Sequence, residues 1–298
     1  MSGEMTVAHP TTRSRRKQPR KPLRKVFPNY LRHATLILVA IIFMLPFYWL
    51  VISSFKANNM VFSNPITWFP NPIRWQNYPE AFNYPSFPFL KFLWNSTYYA
   101  GLVTIGTVFS CSMAGYAFAR LRYPGRDFVF TLTLGSMMLP GIVTFIPTFI
   151  IFKNLGWLGG YKPLIVPAFF GNAFFIFMMR QFFMSMPEEL ADAARVDGAG
   201  EFMIFWRIML PLVKPALLVM SVFTFLWTWH EFFGPLIYLN EQDKYPLSLG
   251  LYAFRRRRTT EWGLMMAGSM LSTIPLIILF FFAQRYFLEG IKLTGLKG

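Results

Sequence analysis

The chain has 298 residues, of which 54% are apolar and only 14% are charged, and phenylalanine alone occurs 35 times. Soluble domains carry about 25% charged residues. So few charges cannot cover the surface of a water-soluble globule of this length, whereas helices that face lipid need none. The composition therefore excludes a pair of soluble domains and predicts a protein that lies mainly in a lipid bilayer.

The formal net charge of +16 is concentrated near the N-terminus. Nine Lys and Arg residues lie between Arg13 and Arg32, and no acidic residue follows Glu4 in this tail. A basic block directly before an apolar helix is expected of a cytoplasmic segment, and anionic lipid headgroups are its natural partner. We therefore predict contact with membrane lipids and no nucleic-acid binding.

The few cysteine and histidine residues predict neither a disulfide nor a metal site. Cys111 is the single cysteine and lies within an apolar run, and His9, His33 and His230 are far apart. Cys111 is expected to be a small buried apolar residue. No grouping of Ser, His and Asp or of Cys and His indicates nucleophilic catalysis, so we predict no catalytic residue.

Six apolar stretches have the length required to cross about 30 Å of hydrocarbon. They cover residues 34–55, 93–119, 128–152, 164–184, 216–236 and 264–288. The first stretch is too long for a signal peptide and lacks a small-residue cleavage site, so we expect it to remain as an anchor. The predicted fold is all-α: a polytopic membrane protein with six transmembrane helices.

The distribution of basic residues predicts that both termini are cytoplasmic. In that orientation nineteen Lys and Arg residues lie inside and ten outside, four of them in the run Arg255–Arg258. The chain then begins with a basic cytoplasmic tail at 1–33, an anchor at 34–55 and an extracytoplasmic loop at 56–92. A core domain of five spans follows at 93–288 and includes a polar cytoplasmic segment at 185–212. A cytoplasmic tail at 289–298 ends the predicted arrangement.

Proline marks two irregular regions. The loop after the first span is rich in Pro, Trp and Tyr, which excludes a regular helix over residues 64–72 and suits an ordered outer cap at a membrane interface. Spans three and four contain Pro140, Gly141, Pro147 and Pro167. Such residues free backbone groups that protein or water must satisfy, so we expect bends around a pathway, although Pro and Gly are also simply common in membrane helices.

The polar segment between spans four and five carries most of the functional information. Ser185 and Glu188 have the spacing of a capping box, Pro187 suits a first helical turn, and Gly198 suits a helix end. The pattern predicts a cytoplasmic helix of about three turns. Leu190, Ala193, Ala194 and Asp197 are expected on one face, where small side chains allow close approach to another surface.

A second amphipathic stretch follows this helix. Phe202, Phe205, Trp206 and Met209 recur at helical spacing, which predicts a helix at the membrane surface. Span five is then expected to begin near Pro211 and Pro215.

The same segment resembles a cytoplasmic motif of binding-protein-dependent importer permeases, written E-A-A, three residues, G, nine residues, I-x-L-P. Here the motif corresponds to Asp192, Ala193, Ala194, Gly198, Ile208, Leu210 and Pro211, with Asp192 in place of Glu. Ser53-Ser54-Phe55-Lys56, the outer loop, Trp227-Thr228-Trp229-His230-Glu231-Phe232 and Trp262-Gly263-Leu264-Met265-Met266-Ala267-Gly268 look like the carbohydrate branch and its maltose-type second permease. In that branch Asn is usual where His230 stands.

The resemblance implies a type I ABC importer permease fold and a division of labour. The short helix would be a coupling helix seated on a separate cytoplasmic ATPase, with Glu189, Asp192, Ala193, Ala194, Asp197, Gly198, Ile208, Leu210 and Pro211 as coupling residues. No G-x-x-x-x-G-K-[ST] phosphate loop occurs in the chain, so ATP and magnesium would be bound by that ATPase and no cofactor by this chain. The implied partners are a second homologous permease, an ATPase dimer and an extracytoplasmic solute-binding protein.

His230 and Glu231 are candidates for the substrate path because ionisable residues in a span are costly. We hypothesise that Glu231 orients a hydroxyl-rich substrate or a gate; a hydrogen bond to a neighbouring helix is the alternative. Arg255, Arg256, Arg257 and Arg258 are candidates for docking the binding protein, with a solvated loop, headgroup contact or an anionic substrate as alternatives.

The predicted function is therefore uptake of a sugar or oligosaccharide across a bacterial or archaeal plasma membrane. Import of a non-sugar or anionic solute is one alternative. A stand-alone secondary transporter and a membrane enzyme are others; the coupling motif disfavours the first, and the lack of a polar cluster at one membrane face disfavours the second.

Overall fold

The computed structural model describes residues 29–255 and 260–295, with side chains described for residues 30–255 and 260–284. The chain divides into two compact units after Phe47. The described residues are predominantly helical and include no strand beyond one antiparallel bridge between Arg255 and Thr260. The predicted all-α class is therefore confirmed.

The described helices are joined mostly by short connections, apart from the longer loop over residues 55–76. They are α1 (Asn29–Ser54), α2 (Asn77–Phe82), α3 (Phe89–Arg120), α4 (Arg126–Ser136), α5 (Gly141–Asn154), α6 (Lys162–Ile165), α7 (Ala173–Met184), α8 (Glu189–Val196), α9 (Glu201–Met203), α10 (Leu210–Leu212), α11 (Lys214–His230), α12 (Phe233–Tyr238), α13 (Leu247–Gly250) and α14 (Trp262–Gly295). A π-helix at Ile204–Met209 joins α9 to α10.

Among the residues that the structure describes, four segments are long and apolar enough to cross a membrane: Tyr30–Ser54, Phe89–Arg120, Lys162–Met184 and Trp262–Gln284. Two further candidates are bent pairs, Arg126–Ser136 with Gly141–Asn154 at 101°, and Glu201–Leu212 with Lys214–His230 at 80°. Counting each bent pair as one span gives the six that the sequence predicts.

The prolines explain the break in the third span. We predicted one stretch over 128–152 with a bend, and the chain instead forms two helices separated at residues 137–140. Pro140 lacks an N–H, disfavours a helical conformation at Leu139, and occupies the N-cap of α5. Pro167 likewise lies in a short 3₁₀ segment, Val166–Phe170, where the helix of span four is interrupted.

Helix α3 contributes to two hydrophobic clusters among the described residues of the second unit. Near Arg120 it contributes Cys111, Tyr116 and Phe118 to a cluster with residues of α7, α8, α11 and the π-helix. Near Phe89 it contributes Phe92 and Ala100 to a cluster with α13 and α14. Cys111 is fully buried, as expected for an apolar residue, and its Sγ accepts a hydrogen bond from the Asn172 N–H at 3.1 Å.

The loop after α1 is ordered, as expected, and packs on the start of α14. Asn77 is buried, and its side-chain amide donates to the carbonyl oxygens of Ser54 and Lys56 at 2.8 Å each. A Cβ at Gly263 would lie 2.7 Å from the Lys56 carbonyl oxygen, so only glycine fits there. The Lys56 ammonium lies 4.1 Å from the centre of the Trp49 ring, and burial lowers the pKa of this lysine.

A close contact between two long helices involves Gly115 of α3. A Cβ at this position would lie 2.6 Å from Cβ of Met179 and 3.0 Å from the backbone nitrogen of Arg180, both in α7. Small residues at such contacts allow the helix backbones to approach, which is how membrane helices gain packing energy.

We expect Gly115→Ala to lower the stability of the detergent-solubilised protein by about 1–3 kcal/mol, because backbone atoms of α7 cannot move aside. Its thermal midpoint should fall by several degrees. Gly101→Ala is the matched control in the same helix, since nothing lies within 4 Å of a Cβ there. Equal midpoints for the two variants would contradict the proposed close contact.

Candidate functional site

Helix α8 is shorter than predicted, and its N-terminus is built differently. It has eight residues, about two turns rather than three. Ser185 does not cap it, because its hydroxyl donates to the Phe182 carbonyl oxygen of α7 at 2.7 Å. Glu188 makes no capping hydrogen bond and instead lies 3.6 Å from Arg120. The predicted capping box is therefore wrong: back-bonding to the preceding helix competes successfully for the serine hydroxyl.

The C-terminus of α8 agrees with the prediction. Gly198 has φ +81°, a conformation in which other residues are strained. Its N–H donates to the Arg195 carbonyl oxygen at 3.0 Å, and the Ala199 N–H donates to the Ala194 carbonyl oxygen at 2.9 Å. These two bonds form a Schellman motif, which ends the helix at Gly198.

The two faces of α8 differ from the expected arrangement at one residue. Ala191 and Ala194 are buried in the cluster around Tyr116, so Ala194 faces the protein interior. Leu190, Ala193, Val196 and Asp197 are exposed, and Val196 is 88% exposed. The small residue that packs closely is thus used within this chain, and a partner would contact the opposite face.

A network of charged side chains fastens α8 to the segment that follows it. Arg195 donates from Nε to Oε1 of Glu201 at 2.8 Å and from Nη1 to Oδ1 of Asp192 at 2.6 Å. The Tyr116 hydroxyl donates to Oε2 of Glu201 at 2.9 Å. The hydrogen bond to Glu201 raises the pKa of Arg195 most, and the bond to Asp192 raises it further, so the guanidinium stays charged at neutral pH.

Arg120, the last residue of α3, holds the turn between α7 and α8. Its side chain is only 5% exposed. One amino group donates to the Phe183 carbonyl oxygen at 2.7 Å and also to that of Met186. The Phe183 carbonyl lies in the last turn of α7 and also accepts from the Met186 N–H at 3.2 Å, so the guanidinium adds a second donor there and ties the turn after α7 to α3. A groove of about 640 Å³ lies beside this contact and is lined by Arg120, Leu121, Arg122, Tyr123, Glu188, Ala191, Asp192, Arg195 and Glu201.

The predicted surface helix is interrupted by the π-helix. Phe205 and Met209 of the predicted stripe are buried, whereas Phe202 and Trp206 are exposed. The rings of Phe202 and Trp206 stack with their centres 6.3 Å apart. The stripe therefore splits between the interior and the surface. Ile208 and Leu210 are half-buried, and Pro211 is exposed just before the 80° bend at Val213.

His230 and Glu231 lie away from this site, at the far end of α11. That helix has 17 residues, which corresponds to about 25 Å. We placed both residues inside a span over 216–236, but the helix ends at His230 and Glu231 is extended. Oε1 of Glu231 accepts from the Gly234 N–H at 2.9 Å, and its carbonyl oxygen accepts from the Ser248 hydroxyl at 2.6 Å. The carboxylate thus supports the start of α12.

Both residues also line a shallow groove of about 350 Å³ with Phe223, Leu226 and Trp227. Trp227 is strongly exposed, and His230 is exposed as well. The substrate-path candidates are therefore accessible, although the structure does not bring them near α8.

Of the four arginines proposed for docking, only Arg255 is among the described residues; Arg256, Arg257 and Arg258 lie outside them. Arg255 is exposed, and its guanidinium lies 5.7 Å from the centre of the Tyr252 ring. Within the described part of the chain, no group of three or more His, Cys, Asp or Glu side chains could hold a metal ion.

Sequence reasoning missed three residues of the site: Tyr116, Arg120 and Glu201. Glu201 could have been found, because it is the first acidic residue after Gly198 and lies six positions beyond Arg195. Nothing in the local pattern connects Tyr116 with Glu201, which is 85 positions away.

The model of the binding-protein-dependent transport system inner membrane component family matches residues 106–293. The probable ABC transporter permease YurM of Bacillus subtilis is 34% identical over 268 residues, covering 88% of this chain and 86% of that protein. The arabinooligosaccharide permease AraQ of Halalkalibacterium halodurans is 33% identical, and the match covers 87% of this chain and 93% of that protein. The sn-glycerol-3-phosphate permease UgpE of Yersinia enterocolitica is 32% identical, and the match covers 87% of this chain and 94% of that protein.

A solved bacterial ABC transporter involved in the import of the acidic polysaccharide alginate has the same fold. One of its chains superposes with a TM-score of 0.76 at 23% identity, covering 87% of this chain and 96% of that one. The helix order, the motif around α8 and these matches agree. The chain belongs to the family of binding-protein-dependent transport system inner membrane components, and it is a multi-pass permease of the ABC transporter class.

Proposed function

We propose that this chain is the transmembrane permease subunit of an ATP-driven importer that takes up a sugar or oligosaccharide. A separate ATPase would act on it through α8. The observation that carries this proposal is the two-faced α8 itself: one face is anchored in the protein by Ala191 and Ala194, while Leu190 and Val196 present apolar surface outward. An exposed apolar face on a rigidly held helix suits a protein partner.

The importer would switch between two packed arrangements. ATP favours the closed form of an ATPase dimer, and α8 moves with the surface on which it is seated. The helix transmits that motion because Arg120 and the buried alanines attach it to α3 and α7. ATP and magnesium would bind to the ATPase, and this chain would bind neither.

The complete importer would contain a second homologous permease, two ATPase copies and an extracytoplasmic binding protein. We place α8 and both termini in the cytoplasm of a bacterium or archaeon, since the basic N-terminal tail favours that orientation. The α8 face then meets the ATPase, and the loop before α14 meets the binding protein.

The sugar class is supported by the names of relatives, which include permeases for arabinooligosaccharides, and by the fold of an alginate importer. An anionic solute is the second candidate. It is favoured by the relative named for sn-glycerol-3-phosphate and by the cationic run that begins at Arg255. Uptake assays with a neutral oligosaccharide and a phosphate ester, each with its binding protein, would distinguish the two.

We expect Val196→Asp to weaken association with the ATPase at least about tenfold, since a carboxylate buried without a partner costs several kcal/mol. Affinity purification of the complex from native membranes, followed by quantification of the ATPase, measures this. Val196→Thr is the matched control because it keeps the branched shape and adds no charge. Undiminished ATPase recovery with Val196→Asp would contradict the proposed role of α8.

Replacing Arg255, Arg256, Arg257 and Arg258 together by Ala should slow docking of the binding protein about tenfold at low salt and flatten its salt dependence. Association rates measured on nanodisc-embedded importer at several salt concentrations provide the test. Arg74→Ala is the control, because Arg74 belongs to an exposed ion pair with Glu80 in the outer loop. Rates equal to those of the control would leave the run without a docking role.

Glu231→Gln should reduce the initial rate of import about tenfold if the charge of this residue orients substrate or a gate. The amide oxygen of glutamine can still accept from the Gly234 N–H, so the support of α12 is retained. Import is measured at matched expression in whole cells. A normal rate would assign Glu231 a structural role alone.

A further inference from the structure

The carboxylate of Glu201 joins helix α8 to helix α3. One oxygen accepts from Arg195 in the last turn of α8 at 2.8 Å, and the other accepts from Tyr116 in α3 at 2.9 Å. Each oxygen thus has a different partner, on a different helix. A hydrogen bond to a charged group is about twice as strong as a neutral one.

The partner in α3 is itself held rigidly. The Tyr116 side chain is almost fully buried, and its ring packs against Phe183 of α7 at 5.5 Å and Phe205 of the π-helix at 5.2 Å. A force on its hydroxyl therefore acts on the packed ends of α3 and α7.

The partner in α8 is equally well defined. Arg195 is shared between Asp192, within its own helix, and Glu201, beyond the Gly198 turn. Its guanidinium has a rigid planar fork that fixes the direction of both bonds. The Schellman turn at Gly198 changes the chain direction between Arg195 and Glu201, so their bond closes that turn.

We propose that Glu201 is a positioning residue that transmits movement of α8 to α3 through the chain of contacts Arg195–Glu201–Tyr116. When α8 moves with its ATPase, Arg195 pulls the Glu201 carboxylate, and the tyrosine hydroxyl carries the displacement to the membrane-spanning helices. This proposal rests on the proposed function, in which α8 is the contact with an ATPase.

The test uses the complete importer reconstituted in liposomes. ATP hydrolysis and solute import are measured together for Glu201→Ala, Tyr116→Phe and the double variant. Alanine removes both acceptor oxygens, whereas glutamine could still bond to Arg195 and Tyr116. Tyr116→Phe removes only the hydroxyl and keeps the ring contacts, so it supports the test if Glu201→Ala assembles poorly. The decisive quantity is solute imported per ATP hydrolysed, because a general loss of stability lowers both rates and leaves their ratio unchanged.

We expect each single variant to lower this ratio about tenfold or more, the effect of a lost hydrogen bond to a charged group. The double variant should be no worse than the more affected single variant, because both changes break the same connection. Glu80→Ala is the matched control, because Glu80 forms an ion pair of similar length and exposure in the outer loop. The Arg74–Glu80 pair measures 2.9 Å, with side chains 42% and 43% exposed, and the Arg195–Glu201 pair measures 2.8 Å, with side chains 39% and 42% exposed.

An unchanged ratio in both single variants would overturn the proposal, as would losses that add in the double variant or an equal loss in Glu80→Ala. Failure of the proposed function has a different signature: the wild-type chain itself would show no import driven by ATP.

Discussion

The close approach of α3 and α7 is the constraint on which the rest of the second unit depends. At Gly115 the space between the helices has no room for a Cβ, and Met179 lies directly opposite. Polar bonds lie on both sides of this contact, from the Ser110 hydroxyl to the Ala168 carbonyl oxygen at 2.9 Å and from Arg180 to the Phe118 carbonyl oxygen at 3.2 Å. Within lipid, such packing and hydrogen bonding replace the hydrophobic effect as the source of helix association.

This contact determines where the site is formed. Because α7 lies against α3, its last carbonyls meet Arg120, and the turn that follows places α8 over the buried Tyr116. The polar network then connects α8 with α3 through Glu201 of α9. A short helix of eight residues would be unstable alone, and here its position is determined by tertiary contacts.

Predictions from single residues were most accurate where the backbone allows few choices. Gly198 ends α8 because it adopts a positive φ, and Pro140 interrupts the third span because it lacks an N–H. Predictions that depended on which partner a polar group selects were less accurate. Ser185 bonds backward to Phe182 instead of capping α8, and Ala194 faces inward although its spacing also allowed an outward position.

The sequence by itself determined the membrane class, the six apolar stretches, the departure from a straight helix at proline and the motif that identifies the family. These properties follow from local composition, from backbone restrictions and from spacing along the chain. Only the tertiary structure decided that Arg120, Tyr116 and Glu201 complete the site, and which face of α8 remains free. The physical reason is that hydrogen bonds between distant residues depend on how helices pack, and no local pattern encodes that packing.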